Sequence, residues 1–523
     1  MKPLSLVLAA SLLAGTAGAQ VLDMDISRIG DGFNNYGVSG GIRAYSFSTT
    51  SCNVGDLPLI WNDSINEAPV IAQNMFMMRD GRFEQMGYSF LKEGFCAVNE
   101  NSCGSCQNTN CDTLGIGCAD TYGATLNDGR NGVTKSQVNA NTGAKPNFLS
   151  GPSAGVSTIR GRLQVPEADL ALPGALYFIE SQYVTTDDQL AGNHRNNVSW
   201  RQVTVSGSSK NLNGLGATRR GNPAIYAWAA NDPTVKIVEY TLVDEGGPGI
   251  DGYFFVGYKT TDLGNGQWRY EYAVQNTTSD VSANSFTVTL PCGAVNTSDI
   301  FFNDVDSHSG DPYDTTDWSY NENASAITWT GGDYGTNPNS NAIRWGELYN
   351  FGFTADAAPI MGDGLLGLFK TGGELTGEIA VPGTGMEVYC TANTNSTGSP
   401  AVILPSGSTT IGDNDVEFVV TQLPFNSVGY FLMSQGQTQV PLGAGSQGNL
   451  CVGGNGNAIF RFSLFVQNSG LFGFINYSPD LTNLPQGVMV MPGETWNFQY
   501  WFRDANPNVT SNTSPAVAVE FCN

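Results

Sequence analysis

The stretch Gln267-Trp268-Arg269-Tyr270-Glu271-Tyr272-Ala273-Val274-Gln275-Asn276 decides the fold class. Successive side chains of an extended chain point to opposite faces, so a period of two marks a half-buried strand. Here Trp268, Tyr270, Tyr272 and Val274 share one face, and mostly polar residues fall on the other. The same grammar runs outward in both directions. Residues 285–290 read as its continuation, and 175–183, 198–205, 236–242 and 252–259 are short strands separated by Gly, Asn and Asp turns. Further on, 416–421, 428–434, 458–466, 495–503 and 516–521 repeat the pattern. Toward the N-terminus, Asp80-Gly81 is a hairpin turn between 68–79 and 82–90, although the methionine run 75–78 also fits a short helix. There are no heptads, no long amphipathic helix and no convincing short-period repeat. Many short strands are buried most simply by packing sheets face to face. The expected fold is all-β: tandem β-sandwich domains with a cysteine-rich, disulfide-stabilised N-terminal region.

Residues 1–19 read as a signal peptide. Lys2 starts it, residues 4–13 are apolar, and Ala17-Gly18-Ala19 suits a signal peptidase, leaving Gln20 first in the mature chain. The apolar run is too short to span a bilayer and no later stretch is apolar enough, so membrane insertion is not expected. The protein is expected to be secreted, extracellular or at the cell surface. The organisation that follows is a cysteine-rich region at 20–165, a central sandwich at 166–390, a linker at 391–400 and a C-terminal sandwich at 401–523. The linker assignment rests on its Thr-Ala-Asn-Thr-Asn-Ser-Thr-Gly-Ser-Pro composition.

Lys and Arg number 23 against 47 Asp and Glu, a formal charge of −24. Such a surface repels phosphate backbones, which argues against nucleic-acid binding, and it attracts calcium. Only 13% of residues are charged and glycine numbers 64, a turn-rich profile that suits exported β-proteins.

All ten cysteines lie beyond the signal segment: Cys52, Cys96, Cys103, Cys106, Cys111, Cys118, Cys292, Cys390, Cys451 and Cys522. Cys103-x2-Cys106 alone is compatible with a metal. The zinc-ribbon pattern, however, needs two such pairs, and an exported chain meets an oxidising compartment. Disulfides are therefore the reading for all ten. Cys451 and Cys522 fall in one sandwich and are expected to pair, which leaves Cys292 with Cys390.

No catalytic residue is assigned. Ser39 and Ser153 each sit in Gly-x-Ser-x-Gly, but neither lies between a buried strand and a helix as a nucleophile elbow requires. His194 and His308 stand in polar loop text and read as exposed. The densest carboxylate run holds Asp304, Asp306, Asp311, Asp314 and Asp317. It reads first as a solvated acidic loop and secondly as a calcium site, since Asp oxygens on a Gly-bent loop suit that ion. Asp413, Asp415 and Glu417 would share one wet face of an extended chain. Trp345 and Tyr349 read as core aromatics by default and as a sugar-stacking platform in the alternative, with Arg344 and Glu347 as an ion pair beside them.

Three stretches carry a resemblance: Gly81-Arg82-Phe83-Glu84-Gln85-Met86-Gly87 with the cysteines after it and Gly115-Ile116-Gly117-Cys118-Ala119-Asp120-Thr121-Tyr122; residues 341–351; and Phe498-Gln499-Tyr500-Trp501-Phe502-Arg503-Asp504. Together they resemble a family of secreted multidomain β-proteins of planctomycete-like bacteria, one that brings no established activity. This chain departs from that pattern at Glu93, where the family tends to carry histidine before the first clustered cysteine.

The functional expectation is a secreted, non-enzymatic structural, adhesive or ligand-binding protein of the cell surface or extracellular matrix. Carbohydrate or another cell-surface protein would be its partner, and self-association is open to it. The alternatives are an extracellular polysaccharide-active hydrolase with a C-terminal targeting module, and a filament or surface-layer subunit assembled by strand donation.

Overall fold

The alternation at 267–276 forms the strand it predicts. The computed structural model describes residues 21–523 except 131, 147–154, 293, 294, 384, 444, 507 and 523, so the expected signal segment and Ser153 lie outside the described residues. The strand Gln267–Asn276 is hydrogen-bonded on one edge to Ile250–Gly264 and on the other to Glu347–Ala355, within a five-stranded antiparallel sheet. Tyr270, Tyr272 and Val274, with Phe351 and Phe353, meet Phe286, Trp329, Leu366 and Ile379 of a second five-stranded sheet. The strand Ala283–Thr289, expected to continue the first sheet, lies in the second.

The polar face of Gln267–Asn276 is not in water. Glu271, Ala273 and Gln275 are all buried, because a six-stranded sheet from the N-terminal region covers them. Phe76, Phe83 and Phe178 of that sheet pack on Phe255, Ala273 and Leu348. Its far side carries Ile71, Met75, Ile179 and Tyr183 against Ile26, Ile29, Tyr45 and Phe47 of a four-stranded sheet. Four sheets are thus stacked, and the inner two are covered on both faces. Each large apolar side chain buried this way contributes roughly 1.5–3 kcal/mol.

This stacking corrects the expected domain boundaries. The strand Leu176–Val184 pairs along its length with Val70–Arg79, so the first unit runs across residue 165 and takes in strands as far as Asn211–Arg220. The methionine run is a strand, and Asp80-Gly81 turns it into Arg82–Tyr88. In the terminal unit, Met386–Tyr389 pairs with Thr510–Glu520, so that sandwich begins before residue 401. Residues 391–400 are not a linker: Asn395 is buried, Thr394 bridges Pro400, and Asn393 Nδ2 donates to the Gln447 carbonyl at 2.7 Å. Polar composition there serves loop hydrogen bonds and not flexibility. The terminal core is Phe418, Phe431, Phe498, Tyr500 and Phe502 between a six-stranded and a three-stranded sheet.

All ten cysteines are oxidised. Cys52–Cys103, Cys96–Cys111 and Cys106–Cys118 staple the N-terminal loops to the edge of the outer sheet. The other two pairs overturn the expected connectivity: Cys292 joins Cys522, and Cys390 joins Cys451. Sharing a sandwich is not enough to pair Cys451 with Cys522. Cys451 lies beside Tyr389, whose hydroxyl donates to its carbonyl at 2.9 Å, which puts Cys390 next to it. Cys522 follows the last strand, where its amide donates to Thr409 and it meets the central unit.

The Cys292–Cys522 bond spans 230 residues and ties the terminal sandwich to the central one. A peptide map under non-reducing conditions is expected to recover Cys292 with Cys522. The double variant C292S/C522S is expected to lose about 2–5 kcal/mol against urea; a loss near zero would mean that the two units are held together without it.

Candidate functional site

The acidic loop is divided by its contacts. Asp304 accepts from the Asn341 side-chain amide, and burial raises its carboxyl to about 6. Asp311 accepts from the Tyr88 hydroxyl at 2.9 Å, and burial likewise raises it to about 6. Asp306, Asp314 and Asp317 are exposed, and Asp314 accepts from the Thr316 amide and hydroxyl. Among the described residues, no three acidic, histidine or cysteine side chains gather as a metal ion would need.

Trp345 and Tyr349 are core residues, not a platform. Trp345 Nε1 donates to the Val138 carbonyl at 3.1 Å, and Tyr349 donates to the Ala342 carbonyl at 3.0 Å. Tyr349, on the strand Glu347–Ala355, is covered because that sheet is sandwiched on each side, whereas Trp345, in the turn before it, packs against Val70, Leu91 and Val138. Arg344 and Glu347 are not a side-chain pair either. The guanidinium donates to the Ser340 carbonyl and lies 3.6 Å over Tyr313, and the Glu347 carboxyl accepts from the Arg344 amide at 2.9 Å.

The histidines correct a second expectation, since both are buried. His194 Nε2 faces the Asp251 carbonyl at 2.8 Å. His308 faces the carbonyls of Arg162 and Ser309 and packs 4.0 Å from Phe90, and burial lowers it to about 4. Ser39 closes the strand Met24–Ser39 and enters a hairpin turn through Gly40-Gly41, so no helix follows it.

Two features lay outside these expectations. The first is a polar layer between the inner sheets, where side chains answer main-chain groups across the gap. Gln85 Nε2 donates to the Gly346 carbonyl at 3.0 Å while its oxygen accepts from the Leu348 amide at 2.7 Å. Glu180 accepts from Asn74 at 2.7 Å, from the Ala224 amide at 2.6 Å and from Gln275 at 2.8 Å. Burial pushes its carboxyl upward against those three donors. Lys135 reaches into the same layer, and burial pushes its ammonium down while it pushes Glu347 up.

The second is a set of apolar loops on the terminal unit. Phe425 is 69% exposed, Leu471 74% and Phe472 83%. The two loops are tied together. The Asn426 amide donates to the Gly470 carbonyl at 2.8 Å, the Leu423 amide to Gly473 at 2.9 Å, and the Ser427 amide to Ser469 Oγ at 2.9 Å. Gly473, at φ +66°, lies so close to Leu423 and Phe425 that a Cβ would sit 2.5 Å from the Leu423 carbonyl. The text Ser469-Gly470-Leu471-Phe472-Gly473-Phe474 held the signal: large apolar residues among glycines, without a strand period. A separate cleft of about 630 Å³ lies between the central and terminal units, lined by Asp363 and Glu378 on one side and Asp413 and Asp415 on the other. Glu417 does not join them, because it accepts from Ser406 and Asn476 along its own sheet. Among the described residues, no helix is long and apolar enough to cross a membrane.

No protein-family model matches the chain, and no curated protein matches it in sequence. Two solved structures are similar at a distance. One is the Actinomyces fimbrial adhesin FimA, at 10% identity and a TM-score of 0.12, covering 54% of this chain and 96% of that one. The other is the BSP domain of a biofilm associated protein, at 8% identity and a TM-score of 0.13, covering 97% of this chain and 68% of that one. Similarity this low fixes neither detailed topology nor function.

The raised Asp311 carboxyl predicts a pH dependence. The folded chain holds that proton more tightly than the unfolded chain does. Its contribution is therefore complete below the ordinary carboxyl value of 3.8 and is lost as pH rises to about 6. In urea unfolding across that window, Asp311→Asn is expected to remove up to about 3 kcal/mol of the fall in stability. An unchanged slope would show that Asp311 is ionised throughout.

Proposed function

We propose that the chain is a secreted, non-enzymatic protein of the cell surface or extracellular matrix. The stacked sandwiches serve as scaffold, and the terminal unit adheres to another surface protein through Phe425, Leu471 and Phe472. One observation carries this reading: large apolar side chains are held out in water on loops already tied to each other. Leaving such groups exposed sacrifices burial that folding would otherwise gain, and contiguous apolar exposure is a feature of interaction sites. Residues 424–428 and 469–474 contain no charged side chain, so contact there is not opposed by the overall charge of −24. Hydrogen bonds between the loops fix their geometry before contact, which lowers the ordering entropy lost on binding. Five disulfides and the expected signal segment agree with an oxidising, exported setting.

A protein partner fits these loops better than a sugar. Trp345 and Tyr349, the aromatics proposed to stack on carbohydrate, are interior. Calcium stays a proposal for the acidic loop. It would have to draw on Asp306, Asp314 and Asp317, because Asn341 and Tyr88 already engage Asp304 and Asp311. A polysaccharide hydrolase would have to work in the cleft lined by Asp363, Glu378, Asp413 and Asp415.

Fluorescently labelled protein is expected to bind the surface of the producing cells. Binding should be abolished by treating those cells with protease and unaffected by periodate. Leu471→Ser with Phe472→Ser should weaken it at least tenfold, since two large apolar contacts carry roughly 3 kcal/mol or more. Periodate-sensitive binding would transfer the reading to carbohydrate. Equal binding by the double variant would clear the loops of any role.

A further inference from the structure

Lys135 is 2% exposed, and its polar partners are an amide and a main-chain carbonyl instead of a carboxylate. Its Nζ donates to Asn74 Oδ1 at 3.3 Å and to the Gly346 carbonyl at 3.0 Å. The other end of the same Asn74 amide, Nδ2, donates to Glu180 Oε1 at 2.7 Å. Asn74 and Glu180 are both fully buried. The rings of Tyr88 and Trp345 lie 4.2 Å and 5.4 Å from the lysine nitrogen. A Cβ at residue 346 would stand 2.7 Å from that nitrogen, so glycine there leaves room for the amine. A nucleophile, a carbonyl group and an acid–base group are therefore joined by successive hydrogen bonds within a buried site.

We propose that Lys135 and Asn74 become joined by an intramolecular isopeptide bond, with Glu180 carrying the proton. In this step the lysine nitrogen lone pair attacks Asn74 Cγ and forms the new C–N bond. The carbonyl electrons move onto Oδ1. One proton leaves the lysine nitrogen and reaches Nδ2 by way of Glu180, whose Oε1 already touches Nδ2. The carbonyl re-forms, the Cγ–Nδ2 bond breaks, and the departing nitrogen leaves as ammonia. An amine and a primary amide become a secondary amide plus ammonia. No electron is gained or lost overall, and Glu180 ends as it began. Burial supports the step at both ends, because it favours the neutral, nucleophilic amine and a carboxyl able to hold a proton. The bond would tie the strand Val70–Arg79, in an inner sheet, to the short turn Lys135–Gln137 across a separation of 61 residues. Unlike the disulfides, it would survive a reducing agent.

Mass spectrometry of the purified full-length protein tests this, after reduction, alkylation and trypsin digestion. The expected result is one peptide pair in which the segment holding Asn74 is joined to a segment with Lys135 uncut, lighter than the sum of the two by one ammonia. Separate, unmodified peptides from the wild-type protein would overturn the proposal, and that measurement decides without any variant. Glu180→Gln keeps the size of the side chain and removes the proton carrier. Provided its disulfide map is intact, it is expected to show the two peptides unlinked. A linked pair in Glu180→Gln would overturn the role given to Glu180.

Discussion

Covering both faces of a sheet is the constraint on which the rest of this structure depends. A sheet in a simple sandwich keeps one face wet, and its polar alternate residues need no protein partner. The two inner sheets here have no wet face. Every polar side chain that projects from Asn74, Gln85, Glu180 or Gln275 has to find its hydrogen bonds in a gap between sheets. It does so by bonding across the gap, as Gln85 does with both sides of Gly346–Leu348 and Glu180 does with the Ala224 amide. An unpaired polar group there would cost about 1–3 kcal/mol, so the register of one sheet against the other is specified by these bonds as well as by Phe76, Phe83 and Phe178. The first two sandwiches are consequently one four-layer body, not beads on a string.

The terminal sandwich is attached differently. Its strand Met386–Tyr389 follows directly on the last strand of the central unit, and Cys292–Cys522 pins its far end back to the same unit. Two crossings limit rotation, and the acidic cleft is the space left between them. The apolar loops belong to the terminal unit alone, so the part proposed to adhere is carried on a body anchored at two points. A contact made by Phe425, Leu471 and Phe472 would then pass its load into the stacked sheets through covalent links, not through a flexible tether.

Much of this was legible in the text of the chain, and the misses share a cause. Period-two alternation at 267–276 gave the strand and its aromatic face correctly, because that face is buried whatever lies on the other side. The polar face misled: Arg269, Glu271 and Gln275 look solvated when read alone, and only the partner sheet, distant in sequence, reverses that. The boundary at residue 165 failed for the same reason, since no local feature announces that Leu176–Val184 will pair with Val70–Arg79. His194 and His308 sit among Asn, Asp and Ser, which suggested exposure, yet each is held by carbonyls from distant segments. Cysteine pairing could not follow from domain membership, because Cys522 stands at the junction of two units. The apolar loops were readable in principle, as Leu471 and Phe472 among glycines fit neither a strand nor a solvated loop.

The polar layer and the external loops make opposite demands on chemistry. Loops that bind a partner by apolar contact gain from fixed geometry, and the scaffold beneath them gains from bonds that force cannot shear. Disulfides supply this where cysteines meet at edges and loops, outside the interior where Lys135 stands. In the interior a sulfur pair would have to replace hydrogen-bonding groups that the inner sheets need. An amide made from residues already present keeps a donor and an acceptor in place: the new N–H can still face Gly346, and Asn74 retains its carbonyl oxygen. Glu180 would lose one donor and keep two, from Ala224 and Gln275. The layer therefore tolerates the covalent link with its hydrogen bonds nearly intact. The linked state also replaces a buried amine, held by an amide oxygen and a main-chain carbonyl, with a neutral secondary amide.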